Sequence, residues 1–255
     1  MQIPDLAGKV ALVTGSSTGI GAAVARAFGA QGMAVGVHYN STRAEAEAVA
    51  ADIEAAGGRA LVLQGDVRDA KVSARLVEQT AEAFGALHVL VANAGSVVER
   101  KPIEQADDAL YDHVLDLNAR SVFVSARAAI PLLRAAGGGS IISTTSLAAR
   151  NGGGGGSVLY AAAKGFVSSF TRGLAKEVAR DRIRVNAVAP GVIMTPLQER
   201  LTPERQIEAA IRLTPMRRTG TVDECVGAYL YLASESLSGF VTGQVLEVNG
   251  GILMP

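Results

Sequence analysis

The stretch Asn151–Lys164, NGGGGGSVLYAAAK, decides how the chain is divided. Five glycines in a row, Gly152–Gly156, have the composition of a flexible linker. A linker there would split the chain into two domains. A loop there would instead deliver Tyr160 and Lys164 from the end of a strand to the start of a helix. The flanking sequence separates the two readings. The residues before it, SIISTT (140–145), form a short apolar run rich in β-branched residues, and those after it (158–180) carry a helical pattern.

The same alternation fills the chain. Strands are expected at 9–14, 34–39, 60–66, 88–93, 140–145, 184–189 and 244–249, and helices at about 19–30, 42–56, 69–84, 107–136, 158–180 and 221–234. Most of the strands are continuously apolar, as strands buried on both faces of a parallel sheet must be. Regular β–α alternation predicts an α/β fold with a doubly wound sheet. The glycine run lies inside that alternation, so it is a loop at the carboxyl edge of a strand, where open α/β sheets place their ligands.

Composition sets the outer limits. The 255 residues suit one α/β domain, and 24 basic residues balance 24 acidic ones. Zero net charge and few aromatics argue against a nucleic-acid module. The single cysteine, Cys225, allows no internal disulfide and fits a cytoplasmic setting. It lies in an apolar helical pattern and is expected to pack. No apolar run is long enough for a membrane span, and the N-terminal residues lack a signal-peptide pattern. His38, His88, His113 and Cys225 show no metal-ligand spacing.

The first strand runs into TGSSTGIG, Thr14–Gly21, and then a helix. Gly15, Ser17, Thr18, Gly19, Ile20 and Gly21 form a turn free of large side chains up to Ile20. The N–H groups of the following helix can meet a pyrophosphate there. No Gly-Lys-Ser/Thr follows, which excludes a P-loop. The second strand ends His38-Tyr39-Asn40-Ser41-Thr42-Arg43, with no carboxylate to bind ribose hydroxyls. Tyr39, Asn40, Ser41 and Arg43 would suit a 2′-phosphate, so NADP(H) is the expected cofactor and NAD(H) the alternative. Asp66-Val67 ends the third strand and could meet the adenine. Asn93-Ala94-Gly95 ends the fourth in a tight turn.

Tyr160 and Lys164 are four apart and share a helix face. An ammonium beside a phenol favours the phenolate and lowers its pKa, giving a proton donor and acceptor usable near neutrality. A hydroxyl from Ser143-Thr144-Thr145-Ser146 could hold a carbonyl oxygen beside the tyrosine.

These pieces, with DLNARSVF, RVNAVAPGVIMTPL and SGFVTGQVLEVNGG, occur in order over essentially the whole chain. The chain resembles the short-chain dehydrogenases/reductases. The resemblance implies a single-domain Rossmann fold over residues 1–255, with a seven-stranded parallel sheet and helices on both faces. It implies hydride transfer between a nicotinamide and an alcohol/carbonyl pair. By it, Tyr160 would exchange the substrate proton. Lys164 would depress the tyrosine pKa and bind nicotinamide ribose hydroxyls. Ser146 would orient the substrate oxygen, with Thr145 or Ser143 as substitutes. Asn118 would hold a water linking Lys164 to solvent. Pro190, Gly191, Val192 and Ile193 would place the nicotinamide ring, with Thr195 near its carboxamide or the diphosphate. Ser17-Thr18 stand where many NADP-preferring members carry a basic residue, which weakens the NADP(H) expectation. A homotetramer is also implied, pairing through helices beginning near 107 and 158 and through the C-terminal helix and strand.

The segment at about 192–220 is expected to cover a small carbonyl or alcohol substrate. Its Met194, Leu197, Leu201, Ile207, Ile211, Leu213 and Met216 would either line an apolar wall or pack a short helical lid. Arg150, Asn151, Glu99, Arg100 and Lys101 are further candidates for substrate contact. The expected substrate class is a 3-oxoacyl thioester on an acyl carrier protein or CoA. Basic stripes Arg120/Arg127/Arg134 and Arg172/Lys176/Arg180 could greet an acidic carrier, or could be solvated faces. The second class is a sugar, polyol or other small secondary alcohol. A reading of another kind is a cofactor-binding sensor without catalysis. Its mark would be loss of Tyr160, Lys164 or Ser146, and all three are present.

Overall fold

The computed structural model describes residues 2–254, the Leu197 side chain excepted. Seven strands, β1 (Val10–Val13), β2 (Ala34–Tyr39), β3 (Arg59–Gln64), β4 (Val89–Ala92), β5 (Gly139–Thr144), β6 (Ile183–Pro190) and β7 (Val245–Val248), form one sheet in the order β3-β2-β1-β4-β5-β6-β7. Every pairing is parallel. Strands β1, β2 and β4 are buried at every position, while the edge strands β3 and β7 are partly exposed.

Eleven α-helical segments accompany the sheet among the described residues. They are α1 (Gly19–Ala30), α2 (Arg43–Ala55), α3 (Ala70–Phe84), α4 (Asp108–Leu115), α5 (Ser121–Ala135), α6 (Ala148–Asn151), α7 (Val158–Val178), α8 (Pro196–Leu201), α9 (Glu204–Leu213), α10 (Asp223–Ala233) and α11 (Glu235–Ser238). Period-two side-chain alternation sorts the core into two layers. Val13, Val35, Val91 and Ile142 face Val24 and Phe28 of α1, Val49 and Ile53 of α2, and Tyr229 and Leu232 of α10. Leu12, Leu90, Ile141 and Val185 face Leu76 and Val77 of α3, Leu133 of α5, and Leu174 and Val178 of α7. The expected doubly wound, seven-stranded fold is therefore present, with helices on both faces.

The expected continuous helix over 107–136 is not. A π-helical turn, Asp116–Arg120, separates α4 from α5. The wider turn swings Asn118 inward, where Nδ2 donates to Ser96 O (2.8 Å) and Val114 O (2.9 Å) and Oδ1 accepts from Ser96 N (3.1 Å). Two short helices, α8 and α9, also form within the 192–220 segment. The first is capped by Thr195 Oγ1, which accepts from Gln198 N at 3.1 Å.

The order of the sheet fixes where a ligand can sit. The chain moves outward from β1 to β2 and β3, then returns to β4 on the opposite side of β1. That reversal opens a crevice at the carboxyl ends of β1 and β4.

Candidate active site

The floor of the crevice is a polar network. Thr14 Oγ1 accepts from Asn93 N (3.0 Å) and Ala94 N (3.1 Å). Asn93 Nδ2 donates to Thr14 O (3.0 Å) and Gly15 O (3.1 Å). Asn93 Oδ1 accepts from Thr144 Oγ1 (3.1 Å), and the Tyr229 hydroxyl lies 2.7 Å from that same threonine oxygen. His38 supports the glycine turn: Nδ1 accepts from Gly15 N at 2.8 Å, and Nε2 lies 3.0 Å from Gly65 O. Burial pushes the His38 pKa down, which keeps the ring neutral with its proton on Nε2.

A cavity of about 340 Å³ lies above this floor. Gly15, Ser17, Thr18, Gly19 and Ile20 line it at one end, with Tyr39, Asn40, Ser41, Asp66 and Val67 around them. Asn93, Ala94 and Gly95 follow, then Pro190, Gly191, Ile193, Thr195, Tyr160 and Lys164. Three of the predicted cofactor residues, Gly21, Arg43 and Val192, are absent from this wall. Gly21 lies beneath the turn, where an added Cβ would run into Gly15 O and Asn93 Nδ2. Its role is close packing of α1 on the turn. Arg43 points away: its side chain is 75% exposed and Nε is 2.7 Å from Glu47 Oε1, one helical turn on. At the β2 turn itself Arg43 does not line the cavity. Thr42 is there instead, its hydroxyl 2.7 Å from that of Ser17.

The wall suits a dinucleotide. Thr18 begins α1 without a side-chain cap, so the first-turn N–H groups face the cavity unsatisfied by the cap residue. A Cβ on Gly19 would approach Thr195 Cγ2 at 3.3 Å, so bare backbone is presented to Thr195 there.

At the other end, α7 carries Tyr160 and Lys164. Lys164 is 2% exposed, and its Nζ donates to Thr144 O at 2.8 Å. Burial pushes its pKa down to about 8. The sequence predicts a lowered tyrosine pKa beside it. Instead, burial pushes Tyr160 above the usual phenol value, opposed by the hydrogen bond from Ser146 and the charge of Arg100. The ammonium is 5.6 Å from the ring centroid and aimed at a carbonyl, which explains its weak hold on the phenol. Among the three hydroxyls considered for the substrate oxygen, Ser146 is the one beside Tyr160. Thr145 Oγ1 is turned inward to Lys164 O and Ser168 Oγ, both at 2.8 Å, and Ser143 is buried in the strand.

Asn118 does not line the cavity. It sits behind Gly95, where an added Cβ would meet both Asn118 Oδ1 (2.7 Å) and Lys164 Nζ (2.9 Å). Both Nδ2 hydrogens are taken by backbone carbonyls and Oδ1 accepts from Ser96 N, so the side chain is tied to the Ser96 backbone.

A second cavity, about 390 Å³, opens on the far side of Tyr160 and shares Ser146, Tyr160, Gly191 and Gln198 with the first. The glycine loop forms part of its wall. Gly156 has φ 73°, and a Cβ there would lie 2.9 Å from Lys101 N, so only glycine lets the loop pass so close. Arg100 ties this loop to the covering segment. Its Nε donates to Leu201 O (2.8 Å), Nη2 to Thr202 Oγ1 (3.1 Å) and Nη1 to Gly155 O (3.3 Å). Val192, Asn151, Leu201 and Leu213 line the cavity, but Met194, Ile207, Ile211, Met216 and Arg150 do not. Glu99 and Lys101 also stand off it, paired with each other at 3.3 Å. Leu197, named with the apolar wall, lies outside the described side chains. Sequence reasoning missed Gln198 and Gln206 in this wall and His38 and Thr42 at the cofactor end. Thr42 was legible from its place in the β2 turn; the two glutamines had no signal.

Comparison with known proteins agrees with this geometry. A family model described as enoyl-(acyl carrier protein) reductase matches residues 15–253. The chain is 38% identical to a 3-oxoacyl-[acyl-carrier-protein] reductase of Synechocystis sp. over 98% of both chains. It is similar to the crystal structure of NADH-dependent reductase A1-R′ complexed with NAD, with 39% identity, full coverage of both chains and a TM-score of 0.89. A short-chain dehydrogenase from Burkholderia cenocepacia J2315 in complex with NADP has 34% identity and a TM-score of 0.90, over 97% of this chain and 99% of that one. A doubly wound sheet with its crevice at the β1/β4 switch, Tyr160 and Lys164 on one helix and relatives of this kind along the full length together make the chain a member of the short-chain dehydrogenase/reductase family of NAD(P)-dependent oxidoreductases.

Proposed function

We propose that the chain interconverts a carbonyl and a secondary alcohol, with Tyr160 as the acid-base group. The observation that carries this is Tyr160 at the junction of the two cavities, with Ser146 beside it in both walls. Bound nicotinamide supplies the hydride in one direction and takes it in the other. In reduction, the Tyr160 hydroxyl gives its proton to the carbonyl oxygen, which Ser146 holds; in oxidation both roles reverse. Lys164 holds the nicotinamide ribose hydroxyls, and its charge favours the phenolate that reduction leaves behind. Asn118 positions the Ser96 backbone behind Gly95. Pro190, Gly191 and Ile193 seat the ring, with Thr195 beside it, and residues 192–220 close over the substrate.

NADP(H) is the preferred cofactor in this reading, with NAD(H) second. The β2 turn offers Asn40, Ser41, Thr42 and Ser17 and no carboxylate to repel a 2′-phosphate. Of the two substrate classes, a small polar carbonyl suits the second cavity better than a carrier-bound 3-oxoacyl chain. Arg100, Asn151, Gln198 and Gln206 line it, and two of the basic residues considered for a carrier are already paired, Arg120 with Asp116 and Arg134 with Asp181. Exposed Phe123 and Phe166, on α5 and α7, support pairing of those helices in a homotetramer.

Nicotinamide absorbance tests the proposal, with both cofactors against 3-oxoacyl thioesters, sugars and secondary alcohols. Tyr160→Phe should cost about 10²–10⁴-fold in kcat while cofactor still binds. Turnover that survives the substitution would remove Tyr160 from the mechanism. Silence of the whole panel despite cofactor binding would favour the sensor reading.

A further inference from the structure

We propose that the substrate carries a carboxylate and that Arg100 receives it; this rests on the oxidoreductase reading of the same site. Arg100 is a half-buried guanidinium in the wall of the cavity that Tyr160 closes. Three of its five N–H donors hold Leu201 O, Gly155 O and Thr202 Oγ1, and the other two have no acceptor among the described residues. Nor does it have a carboxylate within ion-pair distance among those residues. The acid adjacent to it in sequence, Glu99, is taken by Lys101. No Asp or Glu lines the cavity at all.

A desolvated cation without a counter-ion is costly unless something brings the opposite charge. Here the site itself is open where that charge would come. Gln206 lies against the same loop: a Cβ on Gly154 would be 3.3 Å from its Oε1 and 3.6 Å from Arg100 Nη1. The Gln206 side chain makes no hydrogen bond to any described residue, and its Nε2, 3.9 Å from a Cβ placed on Gly155, is a donor free for the same ligand. A planar carboxylate matches a guanidinium with two free N–H groups. A phosphate monoester, with roughly twice the charge, would call for a second free cation. Lys101, adjacent in sequence, is not free.

The arrangement also links recognition to closure. Arg100 grips α8 at Leu201 and the glycine loop at Gly155 with the same group that meets the substrate. A carboxylate on the guanidinium therefore draws both flaps of the cavity toward one charge.

The test compares oxo acids of about three to eight carbons with their methyl esters and with oxo phosphate esters, in the wild type, Arg100→Gln and Arg100→Lys. The quantity read is the acid-to-ester ratio of kcat/KM. That ratio cancels any effect of Arg100 on Tyr160, which acts on acid and ester alike. The wild type should favour the acid by about tenfold or more. Arg100→Gln should bring the ratio close to one, and Arg100→Lys should keep part of it. A wild-type ratio near one, a ratio unchanged in Arg100→Gln, or preference for the phosphate ester would overturn the proposal. So would silence toward acids and esters alongside Tyr160-dependent turnover of a neutral ketone, which leaves the oxidoreductase reading standing. If no carbonyl of any class turns over, that reading fails instead. Calorimetric binding of the oxo acids to the wild type but not to Arg100→Gln would then uphold the anion site, and no binding would overturn it.

Discussion

Replacing Lys164 with methionine should change how stability depends on pH, by an amount set by burial. The ammonium is 2% exposed and its pKa is pushed down to about 8 from an ordinary 10.5. That difference corresponds to about 3 kcal/mol of destabilisation when the group is charged at neutral pH. Between pH 8 and 10.5 the unfolded chain binds more protons than the folded one, so stability rises with pH through that window. From pH 7 to pH 9 the recovered part is about 1 kcal/mol. Methionine keeps the length of the side chain and removes the titration. It also removes the bond to Thr144 O, a loss that does not vary with pH. Urea unfolding of cofactor-free wild type and Lys164→Met at pH 7, 8 and 9 isolates the effect, because burial pushes the Cys225 thiol and the Tyr160 phenol up, above that range. The stability of the wild type minus that of the variant should climb by about 1 kcal/mol across the range. Parallel curves would refute the buried-ammonium argument, and a falling difference would reverse its sign.

Gly21→Ala places a methyl group against Gly15 O and Asn93 Nδ2; it should cost about 1–3 kcal/mol in urea unfolding and weaken dinucleotide binding in a fluorescence titration. Tyr229→Phe removes only the hydroxyl bonded to Thr144 and should cost about 1 kcal/mol, with cofactor binding nearly kept because Thr144 still bonds Asn93. Ser41→Asp puts a carboxylate at the β2 turn and should shift the NADPH-to-NADH ratio of kcat/KM toward NADH by about tenfold or more; an unmoved ratio would mean that the 2′ position lies elsewhere. Protonation of His38 breaks its acceptance from Gly15 N, and its folded pKa is lowered, so stability should fall as pH drops below about 6.5, a loss that His38→Gln should lessen.

The strands were legible because a strand buried on both faces leaves an uninterrupted apolar run, as in Val10–Val13 and Val89–Ala92. The glycine turn, Tyr160 and Lys164 were legible because they lie close in sequence at strand ends. What escaped depends on distance in the chain or on geometry without a pattern. Periodicity does not register one extra residue in a helical turn, so the π-helical turn at Asn118 was read as continuous helix. Arg100 meets Leu201 and Thr202 a hundred residues away, and no local signal predicts that. Arg43 sits in a suggestive turn, but Glu47 one turn later claims it. The Tyr160 pKa went the other way because burial, which a sequence does not display, outweighs an ammonium turned toward Thr144.

The polar network under the crevice joins Thr14, Asn93, Thr144 and Tyr229, residues spread across most of the chain. During synthesis, the glycine turn emerges early, but its floor is finished only when Tyr229 has left the ribosome and α10 has docked. A nascent chain therefore offers a dinucleotide site whose floor is still unsupported behind Thr144. Cofactor capture becomes a late quality check, and a chain cut short before α10 should hold less tightly the ligand that protects its intact siblings from proteases.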